Sequence, residues 1–414
     1  MKMILKCLTI ILLLSVAKTQ AQTELTNYLK MGAENNPGLK SKFAEYNAEL
    51  KKIPQVGTLP DPSFSFGIFI FPMETVVGPQ IAMLGISQMF PWFGTLNASE
   101  NVAVQMAKAK YEEFEDAKSK LFFEIKSAYY EVYFIKKGIS ITNENIGILN
   151  TFRQLALVKV QVGKASVVDE LMVEMEINEL KNQLAYLTDN KYALEVKFNN
   201  LLNSPDNSPV IVPDSLWSDS LSFSKEELLD SISTQNHQIK ELEYKMQSRQ
   251  KQEVVTKKLG MPQFTIGLDY TVIGKSSNPD IGSQSMRNTQ ILPTIGLSIP
   301  IYRKKYTAMR KEATLNFEAT QFEKEEEQNQ LTTSFENSFK EYKDAERRIK
   351  LYKEQLKLAQ KSLSLLLTSY STDGNNFEEV LRMERKVLEY ALELDKAKAD
   401  KNATVAFINY LTGK

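Results

Sequence analysis

Two very long heptad patterns, one in each half of the chain, limit the folds open to this sequence. In each pattern, mostly apolar residues recur at alternating steps of four and three over about five heptads, which is typical of coiled-coil packing. A helix of about 65 residues is on the order of 100 Å long, so its seam must be buried against other long helices. The seam positions in the first half are Leu121, Ile125, Ala128, Val132, Ile135, Ile139, Thr142, Ile146, Leu149, Arg153, Ala156 and Val160. Those in the second half are Phe335, Ser338, Tyr342, Ala345, Ile349, Tyr352, Leu356, Ala359, Leu363, Leu366 and Tyr370.

The two halves are also similar in order and in local sequence. Residues 36–40 are echoed by residues 236–240, and residues 59–64 by residues 260–264. Each half is predicted to contain, in order, a helix of about 30 residues, two short strands, a helix of more than about 60 residues, a tight turn and a helix of about 35 residues. We therefore predict one duplicated unit. The predicted segments are a signal peptide (1–21), a first repeat (22–203), a linker (204–223) and a second repeat (224–414).

Four short segments alternate between apolar and small or polar residues. We predict strands at about 62–71 and 80–90 in the first repeat, and at about 262–273 and 290–301 in the second. This alternation is typical of strands with lipid on one side and water on the other, although a half-buried soluble sheet gives the same pattern. Four strands are too few for a wide pore, because about eight already have a packed interior. Three copies of the chain would supply twelve.

The N-terminus predicts export from the cytoplasm. Lys2 and Lys6 precede an apolar run over residues 8–16, and small residues follow up to Ala21, which together read as a signal peptide cleaved near that residue. The rival, a signal anchor, would need an apolar run of roughly 20 residues. The single cysteine, Cys7, lies in the segment to be removed, so the mature chain would have no disulfide and no thiolate metal site. The small negative charge that remains gives no indication of nucleic-acid binding.

Two motifs carry a resemblance to a known family. Residues 59–62 read Leu-Pro-Asp-Pro, and residues 88–94 read Gln-Met-Phe-Pro-Trp-Phe-Gly at the exit of the second predicted strand. With the signal peptide and the duplicated unit, they resemble the TolC-like outer-membrane efflux protein family over essentially the whole mature chain. The two motifs are similar in particular to the heavy-metal (cation, copper/silver) efflux subgroup.

The resemblance implies both a fold and a set of partners. The expected fold is mainly α with a small membrane β-barrel: coiled-coil hairpins form a trimeric α-barrel in the periplasm, topped by a 12-stranded β-barrel in the outer membrane, with four strands per chain. The expected role is a passive conduit for small molecules or heavy-metal ions. The expected partners are two further copies, outer-membrane lipid, a periplasmic adaptor (membrane fusion) protein and an inner-membrane pump of the resistance-nodulation-division type.

We expect no catalysis and no cofactor. The sequence contains no nucleophile elbow, no phosphate loop and no combination of histidine, aspartate and cysteine that suggests an active site. His237 is the only histidine, and the mature chain offers no cysteine to complete a metal site with it. The methionines stand mostly at apolar helical or strand positions, so no metal site is predicted. The alternative function is a periplasmic coiled-coil adaptor or structural protein without a membrane barrel.

The hairpin turns are predicted at Gly163 and Gly374, and a candidate gate lies beside the second turn. Asp373, Glu378 and Glu379 from three copies would form a carboxylate ring that favours cations. Glu379 is the preferred member, because the family has an acidic residue before Val-Leu at this place. The alternative is that these acids only favour the start of a helix through its dipole. The family often has an arginine in this turn, where this chain has two asparagines at residues 375–376.

A second candidate segment follows the second predicted strand. Pro91, Trp92, Phe93 and Gly94 either mark the membrane interface, where aromatic residues are common, or form the bend from strand to helix.

Overall fold

The computed structural model of the 414-residue chain describes residues 23–75, 78–275, 289–373 and 377–414. The predicted signal peptide lies outside these ranges. The fold is mainly helical with one small sheet, which confirms the predicted fold class. Within the described ranges, no helix combines enough length and apolar character to cross a membrane. The helices are α1 (23–35), α2 (Pro37–Gly57), α3 (Thr95–Gln161), α4 (Val167–Leu202), α5 (Lys225–Gln235), α6 (His237–Leu259), α7 (Arg303–Asp373) and α8 (Phe377–Leu411).

The strands form an antiparallel sheet in the order β1-β3-β4-β5, with the two-residue β2 paired only to β3. The central pair joins the two predicted repeats, because β3 comes from the first and β4 from the second. Phe90 lies opposite Phe264 and Met83 opposite Thr271 in this pair. The strands are β1 (Ser63–Ile68), β2 (Glu74–Thr75), β3 (Gly78–Phe90), β4 (Gln263–Ile273) and β5 (Thr289–Ser298).

An asparagine interrupts the first helix of each repeat, where the sequence predicts one continuous helix of about 30 residues. Asn36 separates α1 from α2, and Asn236 separates α5 from α6. The Asn36 Oδ1 atom accepts a hydrogen bond from the Leu39 amide at 3.0 Å, as an N-cap residue does. Its Nδ2 donates to the Leu201 carbonyl at 3.0 Å, and Asn236 Nδ2 donates to the Leu411 carbonyl at 3.0 Å. The breaks therefore let each side chain bond a carbonyl group near the end of α4 or α8.

The chain divides into two compact units, and each draws on both predicted repeats. Of the described residues, one unit contains those at 23–42, 114–237 and from 328 onward, and the other contains those at 43–113 and 238–327. The sheet belongs entirely to the second unit. The predicted division into repeats follows sequence similarity, and it stays a prediction.

The core of the first unit lies along α3 and buries more of this helix than its predicted seam. Seam residues such as Ile125, Val132 and Ala156 are buried, as their spacing predicts. Tyr129, Tyr130 and Tyr133 lie beside the seam and are also buried. A single apolar stripe was therefore too narrow a prediction, because α3 packs against several segments at once.

The predicted linker, residues 204–223, lies against the helices of this unit. Asn199 Nδ2 donates to the carbonyl of Ser208 at 2.9 Å. Asn402 is almost fully buried; its Nδ2 donates to the Trp217 carbonyl at 2.9 Å, and its Oδ1 accepts from the Asp219 amide at 3.0 Å. These bonds satisfy backbone groups that an irregular segment would otherwise leave unpaired.

Candidate channel wall and hairpin tips

One face of the sheet is apolar and exposed. The register places Phe64, Ile86 and Leu268 side by side across three strands. Phe64 is 71% exposed and Ile295 is 84% exposed. An apolar patch of this kind on a protein surface marks contact with lipid or with another protein. The large exposed members of this face are Phe64, Phe66, Ile68, Ile86, Ile266, Leu268, Tyr270, Ile291, Ile295 and Leu297.

The opposite face carries mostly small and polar side chains. One row across all four strands consists of Ser63, Ser87, Gly267 and Thr294. Such a face suits water. The sheet therefore combines the two surfaces that the alternation in the sequence predicts.

Asp269 lies on this polar face in a niche that depends on a glycine. A Cβ atom added at Gly85 would lie 2.5 Å from both Asp269 Oδ1 and Ser65 Oγ. The three residues are neighbours in one cross-strand row. Because Gly85 has no side chain, the Asp269 carboxylate can lie directly over the backbone of β3.

The sheet has two open edges. β1 and β5 are the end strands of the order β1-β3-β4-β5, and their outer edges have no partner strand among the residues that the structure describes. Unpaired strand edges are ready templates for pairing with another chain.

Residues 91–94 form the bend between β3 and α3. The backbone of Gly94 has φ +74°, which favours glycine, and its carbonyl accepts the Ala98 amide at 3.0 Å. Trp92 stacks on Phe264 with ring centroids 6.0 Å apart, and Phe93 is 75% exposed. The structure thus shows the bend; a position at the membrane interface stays a prediction.

The first hairpin turn lies at Gly163, between α3 and α4. Its φ of +72° is in the left-handed region, and its amide donates to the Val160 carbonyl at 3.0 Å. Ser166 caps α4 by accepting the Val168 amide at 3.1 Å. The segment is short enough to set α3 and α4 antiparallel.

The second turn is described only at its two ends. Gly374 and the side chain of Asp373 lie outside the described part of the chain. Glu378 and Glu379 occupy the first turn of α8, where a helix dipole favours acids. Glu379 is half exposed and pairs with Arg382 one turn further along at 3.0 Å. The carboxylate ring itself stays a prediction.

The tips of the two hairpins are joined around Tyr370 of α7. Lys159 of α3 is buried, and its ammonium group donates to the Tyr370 carbonyl and lies 4.4 Å from the centroid of the Tyr370 ring. The Tyr370 hydroxyl donates to Asp169 of α4 at 3.4 Å. Burial, helped by this carboxylate, raises the pKa of Tyr370 to about 12. Phe377 packs on the same ring at 4.6 Å. Tyr370 therefore links both helices of the first hairpin to the second.

An ion pair between α4 and α8 adds a second link. Arg385 Nε donates to Glu176 Oε2 at 2.7 Å. The Glu176 side chain is only 11% exposed, whereas that of Arg385 is 57% exposed. Breaking the pair would leave a largely buried carboxylate without its cation.

A third link is a buried carboxyl group between α3 and α8. Asn145 Nδ2 donates to Glu384 Oε1 at 2.6 Å, and Glu384 is 1% exposed. Its Oε2 atom has no hydrogen-bond partner among the described residues, and neither does the hydroxyl of the buried Thr142. Burial raises the pKa of Glu384 to about 7, against the opposing effect of the Asn145 hydrogen bond.

Sequence reasoning missed these links. Lys159, Asn145 and Glu384 are polar residues on otherwise ordinary helical faces, so their burial has no signal in a single sequence. Thr142, a polar residue within the heptad seam, is a sequence signal of a polar site near Glu384.

The described residues contain no group of three or more histidine, cysteine, aspartate or glutamate side chains that could hold a metal ion.

Part of the sequence matches a known family model. Residues 228–406 match the model of the family described as Outer membrane efflux protein. No curated protein matches the sequence.

The fold is shared with outer-membrane channels. The chain is similar to VceC of Vibrio cholerae (TM-score 0.78, 12% identity, covering 96% of this chain and 98% of that one). It is also similar to the CmeC channel of Campylobacter jejuni (TM-score 0.74, 13% identity, 94% and 85% covered). A third similar structure is CusC (TM-score 0.71, 15% identity, 94% and 92% covered).

The chain therefore has the fold of the TolC-like outer-membrane channels, and its second half carries the sequence pattern of the efflux family. The finer predictions on the metal subgroup and on partners stay proposals.

Proposed function

We propose that three copies of this chain form the outer-membrane exit channel of a multi-component efflux system and perform no chemistry of their own. The observation that carries this proposal is the sheet, whose exposed apolar face, polar opposite face and two open edges occur together. A sheet of this kind is complete only when lipid covers one face and neighbouring copies pair with its edges.

The open edges indicate how the copies join. Pairing of β1 in one copy with β5 in the next would produce a closed, twelve-stranded barrel, with Phe64 and Ile295 toward lipid. The row containing Gly85 and Asp269 would then face the pore. Closure removes the exposed strand edges, which otherwise favour aggregation.

The helical hairpins form the tunnel and its gate. The links at Tyr370, Glu176–Arg385 and Glu384 hold the two hairpins of one copy together at their tips. Opening of the tunnel moves these tips apart. The acids Asp373, Glu378 and Glu379 surround the narrow end and favour cations.

The partners are an adaptor of the membrane fusion type and an inner-membrane pump of the resistance-nodulation-division type. The pump expels the cargo and selects it. The cargo is a class of small molecules or heavy-metal ions. The metal assignment rests on residues 59–62 and 88–94 alone. The alternative is a periplasmic adaptor or structural protein without a barrel. It does not explain why one face of the sheet is apolar and exposed.

The test is single-channel recording of the purified protein in planar bilayers. We expect small, cation-selective conductance, with selectivity reduced in Glu379→Ala and in Asp373→Ala. Glu354→Ala is the control, because this exposed acid lies far from the tip along α7. Absence of channels from a protein that stays soluble and monomeric without detergent would show that the alternative is right.

A further inference from the structure

Basic side chains are concentrated where the second-repeat strands meet their helices. Residues 254–262, before β4, carry two lysines and no acid, and residues 299–311, after β5, carry five basic residues and no acid. We call five exposed members of this set the basic collar: Lys257, Arg303, Lys304, Arg310 and Lys311. None of the five forms an ion pair within the described parts of the chain.

Contacts within the second compact unit bring the strand-helix junctions together. Lys258 Nζ, at the end of α6, donates to the Phe93 carbonyl at the β3–α3 bend, at 2.9 Å. A Cβ atom added at Gly260 would lie 3.4 Å from Tyr306 Cβ, near the start of α7. The end of α6, the start of α7 and the β3–α3 bend are therefore adjacent. Of the basic collar, Lys257 lies in the last turn of α6, and the other four residues lie in the first nine residues of α7.

The chemistry changes sharply along the chain at this level. Ile299 and Ile301 continue the exposed apolar surface of β5, and Tyr302 is 77% exposed. Arg303 and Lys304 follow at once. An apolar surface, then an aromatic residue, then cations is the order that a protein surface needs to match acyl chains, the interface and the phosphate groups of a bilayer.

The first repeat does not share this feature. Residues 91–99 at the β3–α3 junction carry no charged side chain. Of the two lysines near the end of α2, Lys52 pairs with Glu49 at 2.8 Å. The excess of cations is thus a property of the second repeat alone. Duplication of one unit does not account for it.

We propose that the basic collar binds the phosphate headgroups of anionic phospholipids in the membrane leaflet at the helical side of the sheet. Clusters of four to eight lysines and arginines beside a membrane-inserted segment attract anionic lipid, and the attraction weakens with salt. This inference rests on the proposed membrane insertion of the sheet. It adds a lipid class to that function and assigns these residues a role in holding the channel at a fixed depth.

The experiment measures which lipids the intact protein retains. Purified protein is incubated in detergent with equal amounts of phosphatidylglycerol and phosphatidylcholine, recovered by size exclusion, and its bound lipid is quantified by mass spectrometry. We expect the wild type to retain phosphatidylglycerol severalfold in excess, and the excess to disappear at high salt. Equal retention of both lipids by the wild type would overturn the proposal.

Charge-removing variants locate the site. Arg303→Gln/Lys304→Gln/Arg310→Gln/Lys311→Gln is expected to lose most of the excess. The control Lys350→Gln/Lys353→Gln/Lys357→Gln/Lys361→Gln removes four exposed charges from the same helix and is expected to keep it. If the first variant does not fold, Lys304→Gln/Lys311→Gln serves instead, with an intermediate loss expected. An unchanged lipid ratio in a folded collar variant contradicts the proposal.

Channel recording separates this inference from the function on which it rests. If the protein forms channels in bilayers of either lipid but does not prefer phosphatidylglycerol, only the proposed lipid binding by the basic collar is refuted. A protein that forms channels in neither lipid would refute the proposed function.

Discussion

Glu384 accepts a hydrogen bond from Asn145 at 2.6 Å in the buried contact between α8 and α3. The two residues are 239 positions apart, one in each predicted repeat. The other carboxyl oxygen of Glu384 has no partner within the described part of the protein. A carboxyl group in this setting is more stable protonated than charged.

The pH dependence of stability follows from this burial. The pKa of Glu384 rises from 4.5 to about 7 in the folded state. Below pH 4.5 both folded and unfolded states hold the proton. Between about pH 4.5 and 7 the unfolded state releases it first, so the contribution of this group to the free energy of unfolding falls as pH rises, and it stays low above pH 7.

We therefore expect Glu384→Gln to stabilise the helical region at pH 8 by about 2 kcal/mol and to have little effect at pH 4.5. Thermal unfolding followed by helical circular dichroism at the two pH values measures this. Glu354→Gln, an exposed change on α7, is the control. Equal effects of Glu384→Gln at both pH values would show that the pKa of Glu384 is the same in the folded and unfolded states.

In the proposed channel, the Glu176–Arg385 pair should hold the hairpin tips together. Arg385→Glu places two acids in contact and is expected to cost about 1–2 kcal/mol, which corresponds to a roughly five- to thirtyfold rise in the open fraction. Single-channel recording measures the open fraction. The exchange variant Glu176→Arg/Arg385→Glu restores the attraction and should return it toward the wild-type value. A swap that behaves like the single variant would argue against a direct pair.

The first hairpin turn depends on a left-handed glycine. Gly163→Ala should destabilise the protein by about 1 kcal/mol, because φ is +72° although a Cβ atom there would meet nothing within 4 Å. Gly147→Ala is the matched control. A Cβ atom there is also free of contacts, but the residue is inside α3, so we expect stabilisation of about 0.5–1 kcal/mol. Thermal unfolding of both variants should therefore shift in opposite directions.

Asn402 should fasten the linker to α8. Asn402→Ala leaves the Trp217 carbonyl and the Asp219 amide without their partner, which we expect to cost about 2 kcal/mol. Limited proteolysis within residues 204–223 measures the release of the segment. Asn150→Ala is the control, because the exposed Asn150 side chain bonds only a carbonyl group of its own helix. Equal cleavage rates in the two variants would show that Asn402 does not hold the linker.

The sequence alone determined the long helices, the strands and the apolar face of each strand. Heptad spacing predicts α3 and α7, because a seam repeated every 3.5 residues suits only long packed helices. Period-two alternation predicts the strands and which side chains share a face, because this property is local to each strand. Positions such as Ile125 and Phe64 therefore have the environments that their spacing predicts.

Tertiary structure decided which elements pack together and which residues outside the heptad seam are buried. The pairing of β3 with β4 across the repeats has no counterpart in either strand's own pattern. The burial of Glu384, Asn145 and Lys159 depends on neighbours more than 200 residues away, and a lone polar residue on a helix has the same sequence appearance whether it is solvated or enclosed. The periodicity of a helix or strand depends only on residues close together in the sequence. The burial of a polar group depends on packing against residues that are distant in the sequence.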